Sequence, residues 1–185
     1  MTTGIKFSGF GGQGVILAGV IVGRAASILD NKYATLTQSF GPEARGGACS
    51  AQIIISENKI LYPYVTRPEV LVALSQEAGN RFLPDAADNA TVLIEEDLVR
   101  LKGVKPGMKI FAIPATRFAE ELGSKMTLNI VMVGFFTAIT KLITFKSARE
   151  TVKAAVPLGT ETMNLMAFDR GYEYGQSIST SKDRS

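Results

Sequence analysis

The first residues whose spacing suits chemistry are the glycines of residues 9–14, which read GFGGQG. They match the pattern G-x-G-x-x-G, and they lie between a strand-like run at residues 5–10 and an apolar run at residues 15–29. Glycines let a backbone approach a phosphate closely, and the N–H groups that open the following helix attract anions. The candidate ligand-binding residues of this loop are therefore Gly9, Gly11, Gly12, Gln13 and Gly14.

Three interpretations of this glycine loop stay open. An NAD site needs an acidic residue at the end of the second strand, where the acid holds the ribose. Here that strand ends at Thr37, Gln38 and Ser39, and the nearest acid, Asp30, comes before the strand, which disfavours NAD. The other two interpretations are a site for another anion or phosphate, and tight backbone packing without a ligand.

A second loop, QSFGPEARGG at residues 38–47, contains one proline and three glycines and is typical of an irregular segment. Arg45 precedes Gly46 and Gly47, so its guanidinium lies beside backbone amides and suits a phosphate or a carboxylate. The alternative is that Arg45 pairs with Glu43 and braces the loop. Both loops follow the carboxyl end of a strand, where ligands of open α/β sheets bind, so we expect them to face one crevice.

The composition excludes several classes of chemistry. The 185 residues include no histidine, which excludes Ser-His-Asp and Cys-His nucleophiles, histidine-ligated zinc and haem held by a proximal histidine. The one cysteine, Cys49, excludes an internal disulfide and a four-thiolate iron–sulfur cluster. Without a histidine base, Cys49 fits a small buried residue better than a nucleophile.

Charge and hydropathy indicate neither a nucleic-acid nor a membrane partner. The net charge is +3, and the basic residues are scattered without interleaved aromatic residues. The longest apolar stretch, residues 130–139, is shorter than the roughly 20 residues of a membrane span. We therefore expect a cytoplasmic protein.

Alternating strand-like and helix-like segments predict an α/β fold. We expect a Rossmann-like, largely parallel sheet with helices on both faces and an antiparallel hairpin insertion, in which residues 48–56 pair with residues 59–62. The further predicted strands are residues 5–10, 33–38, 70–74, 91–95 and 109–113. The predicted helices are residues 15–29, 76–82, 116–122, 129–143, 147–156 and 160–174. Residues 1–175 form one domain in this prediction, and residues 176–185 form a polar, flexible tail.

The predicted helix at residues 129–143 is apolar around most of its circumference. Ile130, Val131, Val133, Phe135 and Phe136 exceed what one helix face in a small domain buries, which predicts an obligate subunit interface. The alternative is a helix that is fully internal to this chain.

The two loops together resemble a known family. The segments GFGGQGVILAG at residues 9–19 and QSFGPEARGGACSAQIIIS at residues 38–56 resemble the gamma subunit, or gamma domain, of the 2-oxoacid:ferredoxin oxidoreductases. The form of the second segment, and LVALSQEA at residues 71–78, are more similar to the 2-oxoglutarate branch than to the pyruvate and 2-oxoisovalerate relatives.

The resemblance implies a division of labour between subunits. Such a complex decarboxylates a 2-oxoacid oxidatively with coenzyme A, and it passes two electrons to ferredoxin. The resemblance implies thiamine diphosphate and Mg²⁺ between alpha-type and beta-type subunits, iron–sulfur clusters on cysteine-rich parts, and a ferredoxin-like delta subunit as an optional partner. No cofactor is then expected on this chain alone, and the isolated chain is expected to be inactive.

The resemblance also implies a place for both loops. The gamma subunit helps to form the coenzyme A side of the site, with Gly9, Gly11, Gly12, Gln13 and Gly14 facing the phosphates. Ser39, Arg45, Gly46 and Gly47 form the neighbouring loop in this interpretation. The alternatives are a stand-alone module that binds a nucleotide or an acyl-CoA, and an NAD-dependent enzyme, which the missing acid disfavours.

Overall fold

The computed structural model describes residues 1–40 and 48–182, and these residues form an α/β fold around a six-stranded sheet. The strand order is β2-β3-β1-β4-β5-β6. The strand bounds are β1 Thr2–Phe10, β2 Tyr33–Phe40, β3 Ala48–Ser56, β4 Val70–Ala73, β5 Thr91–Glu95 and β6 Lys109–Ile113. Strand β4 is buried on both faces, which explains its continuous apolar sequence VLVA.

Five of the six strands run in one direction, because only β3 is antiparallel to its neighbours β1 and β2. The prediction of a largely parallel sheet is confirmed. The predicted pairing of β3 with residues 59–62 is wrong, since these residues form no strand and β3 pairs with β2 instead. Pro63 follows them and has no N–H for a ladder, and the chain beyond it crosses the sheet, where the Val65 N–H donates to Gln52 Oε1 over 3.2 Å.

Helices cover both faces of the sheet, as predicted, but unequally. Helices α1, α3, α4, α5 and α6 build the larger core on one face, and α2 builds a smaller one on the other. The helix bounds are α1 Val15–Arg24, α2 Gln76–Phe82, α3 Ala115–Glu121, α4 Leu128–Thr140, α5 Phe145–Ala155 and α6 Glu161–Lys182. The first predicted helix is divided, because residues Ala25–Leu29 form a π-helical turn after α1.

Helix α4 lies inside this chain. Each of Ile130, Val131, Val133, Phe135 and Phe136 is at most 1% exposed, although no second chain is present. Helices α1, α3, α5 and α6 surround α4 within the same core. The subunit interface predicted from these residues is therefore wrong, and the internal alternative is correct.

Helix α6 is longer than the sequence indicated. It continues to Lys182, so residues 176–182 of the segment that we predicted as a polar, flexible tail are helical. Its glycines allow it to approach α4 closely, since a Cβ at Gly134 would overlap the Phe168 carbonyl oxygen and lie 2.9 Å from the Tyr172 nitrogen. A Cβ at Gly171 would likewise overlap the Val131 carbonyl oxygen. This backbone-to-backbone contact anchors α6 across the core.

No helix within residues 1–40 and 48–182 combines the length and the apolar character that a membrane span requires.

Candidate functional site

The candidate site lies at the edge of the sheet where β1 and β4 end. Helix α1 leaves β1 over one face of the sheet, where Gly19 contacts Ala51 of β3. Helix α2 leaves β4 over the opposite face and belongs to the second core. The chain thus turns in opposite directions after two adjacent parallel strands, and ligands of open α/β sheets bind at such a divergence.

The glycine loop forms the floor of this divergence. Gly12 has φ 97° and Gly14 has φ 71°, a left-handed conformation that residues with a side chain rarely adopt. Gly14 is the N-cap of α1 and offers no side-chain acceptor to the helix. Among the described residues, no acceptor meets the N–H groups of Val15, Ile16 and Leu17, so the positive end of the α1 dipole stays uncompensated there.

Gln13 joins the ends of the two strands. Its Oε1 accepts the Phe10 N–H over 2.7 Å, and its Nε2 donates to the Leu74 carbonyl over 2.9 Å. Gly9 leaves room for this arrangement, because a Cβ there would lie 2.5 Å from the Gln13 Oε1 and 3.1 Å from the Leu74 Cβ. Packing alone therefore explains Gly9 and the Gln13 side chain, and in this structure the backbone of residues 11–17 is what remains available to an anion.

The two hydrogen bonds of the Gln13 side chain, which we call the Gln13 bridge, can be tested by substitution. Gln13→Glu keeps an acceptor for Phe10 but turns a second oxygen toward the Leu74 carbonyl, so we expect a loss of about 1–2 kcal/mol in the free energy of unfolding. Urea denaturation of the purified chain measures it, with Gln38→Glu as the control, because Gln38 is an exposed glutamine on β2. Equal stability of both variants would remove the bridging role from Gln13.

Asn129 supports the same loop and was missed by the sequence analysis. Its Nδ2 donates to the Gly14 carbonyl over 3.1 Å from the start of α4, and the side chain is buried. A Cβ at Gly14 would collide with this amide, so Gly14 is constrained both by its φ and by its neighbour. No local signal identifies Asn129, because 115 residues separate it from the glycine loop.

Glu95, at the end of β5, was also missed. The residue is 0% exposed, and its two carboxylate oxygens accept N–H groups on either side. One oxygen lies 2.7 Å from the Leu98 nitrogen, and the other lies 3.1 Å from the Thr116 nitrogen in the first turn of α3. This carboxylate ties the loop after β5 to a helix N-terminus at the same edge of the sheet.

The second loop begins and ends at this edge. Phe40 pairs with Cys49, and Phe10 pairs with Ala48, so the ends of β1 and β2 and the start of β3 are level. Ser39 is exposed on β2 opposite Ser50. The predicted site residues Arg45, Gly46 and Gly47, and the alternative partner Glu43, lie outside the described residues.

The topology bears on the NAD interpretation as well. Strand β3 separates β1 from β2, so the strand that would carry a ribose-binding acid is not adjacent to the glycine loop. This arrangement agrees with the lack of an acid at the end of β2. Both features disfavour a dinucleotide site.

Cys49 is a buried core residue in this structure. Burial raises the pKa of its thiol, so the thiol form is favoured at neutral pH. This agrees with the interpretation of Cys49 as a small apolar residue.

Comparison with known proteins identifies the family. The family described as pyruvate ferredoxin/flavodoxin oxidoreductase matches residues 4–174. The 2-oxoglutarate synthase subunit KorC of Methanocaldococcus jannaschii is 46% identical over 176 residues, which cover 94% of each chain.

Two solved structures have the same fold. The gamma subunit of a keto/oxoacid ferredoxin oxidoreductase from Geobacter sulfurreducens has a TM-score of 0.85 and 34% identity, with 96% of this chain and 98% of that chain covered. The 2-oxoglutarate:ferredoxin oxidoreductase from Magnetococcus marinus has a TM-score of 0.87 at 20% identity, and the match covers 95% of this chain but 31% of that chain. This chain belongs to the pyruvate ferredoxin/flavodoxin oxidoreductase family, as a gamma-type subunit.

Proposed function

We propose that this chain is the gamma subunit of a 2-oxoglutarate:ferredoxin oxidoreductase. Such a complex decarboxylates 2-oxoglutarate oxidatively to succinyl-CoA and passes the electrons to ferredoxin. The observation that carries the proposal is the 46% identity to a 2-oxoglutarate synthase subunit over 94% of both chains. We further propose that the complex works in the cytoplasm.

We propose that the glycine loop meets the phosphates of coenzyme A. The support is the left-handed backbone at Gly12 and Gly14 and the N–H groups that open α1 without an acceptor among the described residues. Because the Gln13 side chain is engaged in the bridge between β1 and β4, the contact falls to the backbone of Gly11 and Gly12 and of the residues that follow. Ser39, Arg45, Gly46 and Gly47 complete the same side of the site in this proposal.

We assign the cofactors of the complex to its other subunits. One cysteine and no histidine do not provide the ligands of an iron–sulfur cluster, so this chain does not fit that group. Thiamine diphosphate and Mg²⁺ then belong between alpha-type and beta-type partners, and a ferredoxin-like delta subunit is a further candidate partner. In this proposal the chemistry of these groups takes place on the other subunits, and the role of this chain is to position coenzyme A.

Reconstitution of the complex tests this function. Partner subunits with added gamma chain should reduce a viologen dye with 2-oxoglutarate and coenzyme A, whereas each part alone should not. Pyruvate as substrate should give much lower turnover. A gamma chain that binds an acyl-CoA tightly but never associates with a thiamine-binding subunit would instead support the stand-alone module.

Arg45 provides a sharper test inside the reconstituted complex. We expect the Michaelis constant for coenzyme A to rise in Arg45→Lys, which loses the planar fork, and to rise further in Arg45→Ala. The loss of a charge-assisted contact corresponds to roughly a 10- to 150-fold change. Stability should change little in either variant.

The bracing alternative predicts a different result. If Arg45 only pairs with Glu43, then Arg45→Ala and Glu43→Ala should lower the melting temperature together, and the Michaelis constant should follow assembly alone. An unchanged Michaelis constant with lowered stability would remove Arg45 from the site.

A further inference from the structure

Asn129 is a buried polar side chain at the start of an apolar helix. It is the second residue of α4 and is 3% exposed, and residues 130–136, IVMVGFF, contain no polar side chain. A buried amide in such a setting needs a hydrogen-bond partner. Its Nδ2 donates to the Gly14 carbonyl over 3.1 Å, so the partner belongs to the glycine loop and not to α4.

The Gly14 carbonyl does not depend on Asn129 for a donor. It also accepts the Ala18 N–H over 3.0 Å, as the first hydrogen bond of α1. An apolar side chain of similar size at residue 129 would therefore leave no buried carbonyl without a donor, and its cost in stability should be small. The contribution of Asn129 is the direction in which the Gly14 carbonyl is held.

This direction bears on the N–H groups that open α1. Gly14 has φ 71° and ψ 22°, and a Cβ there would overlap the Asn129 amide, so the amide packs directly on the Gly14 backbone. Because the peptide unit is planar, a fixed Gly14 carbonyl also fixes the Val15 N–H, and α1 continues from it with the N–H groups of residues 16–17. These three N–H groups have no acceptor among the described residues.

We propose that Asn129 is a positioning residue for coenzyme A, which it orients through the glycine loop. The inference rests on the proposed contact between this loop and the phosphates of coenzyme A, and it adds that α4 determines where those phosphates lie. A neutral amide suits this place. A carboxylate at residue 129 would turn a second acceptor toward the Gly14 carbonyl and would put a negative charge where the α1 dipole attracts an anion.

Steady-state kinetics of the reconstituted complex test the proposal with Asn129→Leu, which removes the amide and keeps a side chain of similar size. The Michaelis constant for coenzyme A should rise about tenfold, because a displacement of about 1 Å in a binding group weakens its contacts strongly. The Michaelis constant for 2-oxoglutarate should not change. A subunit that is only destabilised would reduce the amount of assembled complex and its maximal rate, but neither Michaelis constant.

Asn164→Leu is the matched control. Asn164 is also a buried asparagine, 8% exposed, and its Nδ2 donates to the Thr160 carbonyl over 2.9 Å and not to the glycine loop. This variant should leave both Michaelis constants unchanged. Asn129→Ala supplies the same measurement if Asn129→Leu does not fold. If neither Asn129 variant assembles whereas Asn164→Leu does, Asn129 acts on folding and the positioning role is overturned.

Two variants of Gly12 separate this inference from the proposed function on which it rests. A Cβ at Gly12 meets nothing within 4 Å, so Gly12→Asp and Gly12→Asn have the same space and differ in charge. If the loop meets phosphates, the Michaelis constant for coenzyme A should be much higher in Gly12→Asp than in Gly12→Asn. That result with an unchanged constant in Asn129→Leu would overturn the positioning role alone. Equal constants in the two Gly12 variants would overturn the coenzyme A contact of the loop, and the positioning role with it.

Discussion

Gly171→Ala is expected to destabilise the protein by about 3 kcal/mol or more, which would lower the unfolding midpoint by about 10 °C. The added Cβ would overlap the Val131 carbonyl oxygen and lie 3.1 Å from the Phe135 nitrogen. Both neighbours are backbone atoms of the buried helix α4, so neither can rotate away as a side chain would. The helices must separate, and the core around Phe135 and Phe168 opens. Urea and thermal denaturation of the full chain measure the loss.

Gly23→Ala is the matched control for this prediction. Gly23 also lies inside a helix, but a Cβ there meets nothing within 4 Å. Alanine is favoured over glycine in a helix interior by about 0.5–1 kcal/mol, so this variant should be slightly more stable than the wild type. If Gly171→Ala matched Gly23→Ala, the close contact between α4 and α6 would be wrong.

Glu95→Ala is the second change with a large expected effect. The substitution leaves the partly buried N–H groups of Leu98 and Thr116 without their acceptor, and it removes a negative charge from the start of α3. A hydrogen bond to a charged acceptor contributes about 1.5–3 kcal/mol, and the exposure of Leu98 reduces the cost on its side, so we expect a loss of about 2–4 kcal/mol in the free energy of unfolding. Amide hydrogen exchange should become faster at Leu98 and Thr116, whereas the amides of β5 should stay protected.

Glu96, the residue after Glu95, is the control that distinguishes the effect of a buried carboxylate from the effect of a negative charge. Glu96 is partly exposed and pairs with Arg117 at the surface, 3.2 Å apart. Glu96→Ala should therefore cost no more than about 1 kcal/mol, the usual value for exposed ion pairs. Similar losses for both variants would mean that the Glu95 carboxylate does not cap the two backbone segments.

Several features of the site were predictable because they depend on neighbours in sequence. The glycine loop was identified from residues 9–14, the strand before it and the helix after it, and the structure has all three. The alternation of apolar strands and helices predicted a largely parallel α/β sheet, since side-chain periodicity follows from local backbone geometry. The motifs around residues 9–19 and 38–56 were sufficient to indicate the family.

Other features depend on which segments of the chain pack against each other. The periodicity of apolar residues within one segment does not indicate its packing partner. An apolar helix such as α4 has the same sequence pattern whether a partner subunit or its own chain covers it. In the structure, helices α1, α3, α5 and α6 of the same chain cover it. The pairing of β3 also depends on the assembled sheet. Pro63 has no N–H to extend a pairing with residues 59–62, whereas β2 pairs with β3 along its full length.

The remaining contacts of the site are long-range. Asn129 reaches Gly14 across 115 residues, and Gln13 reaches Leu74 across 61 residues. The sequence by itself therefore determined most of the helices and strands, the glycine loop and the family, since each depends on residues that are close together in the chain. Only the tertiary structure decided what covers α4, where β3 pairs and which side chains hold the loop, because those choices depend on packing between segments distant in the chain.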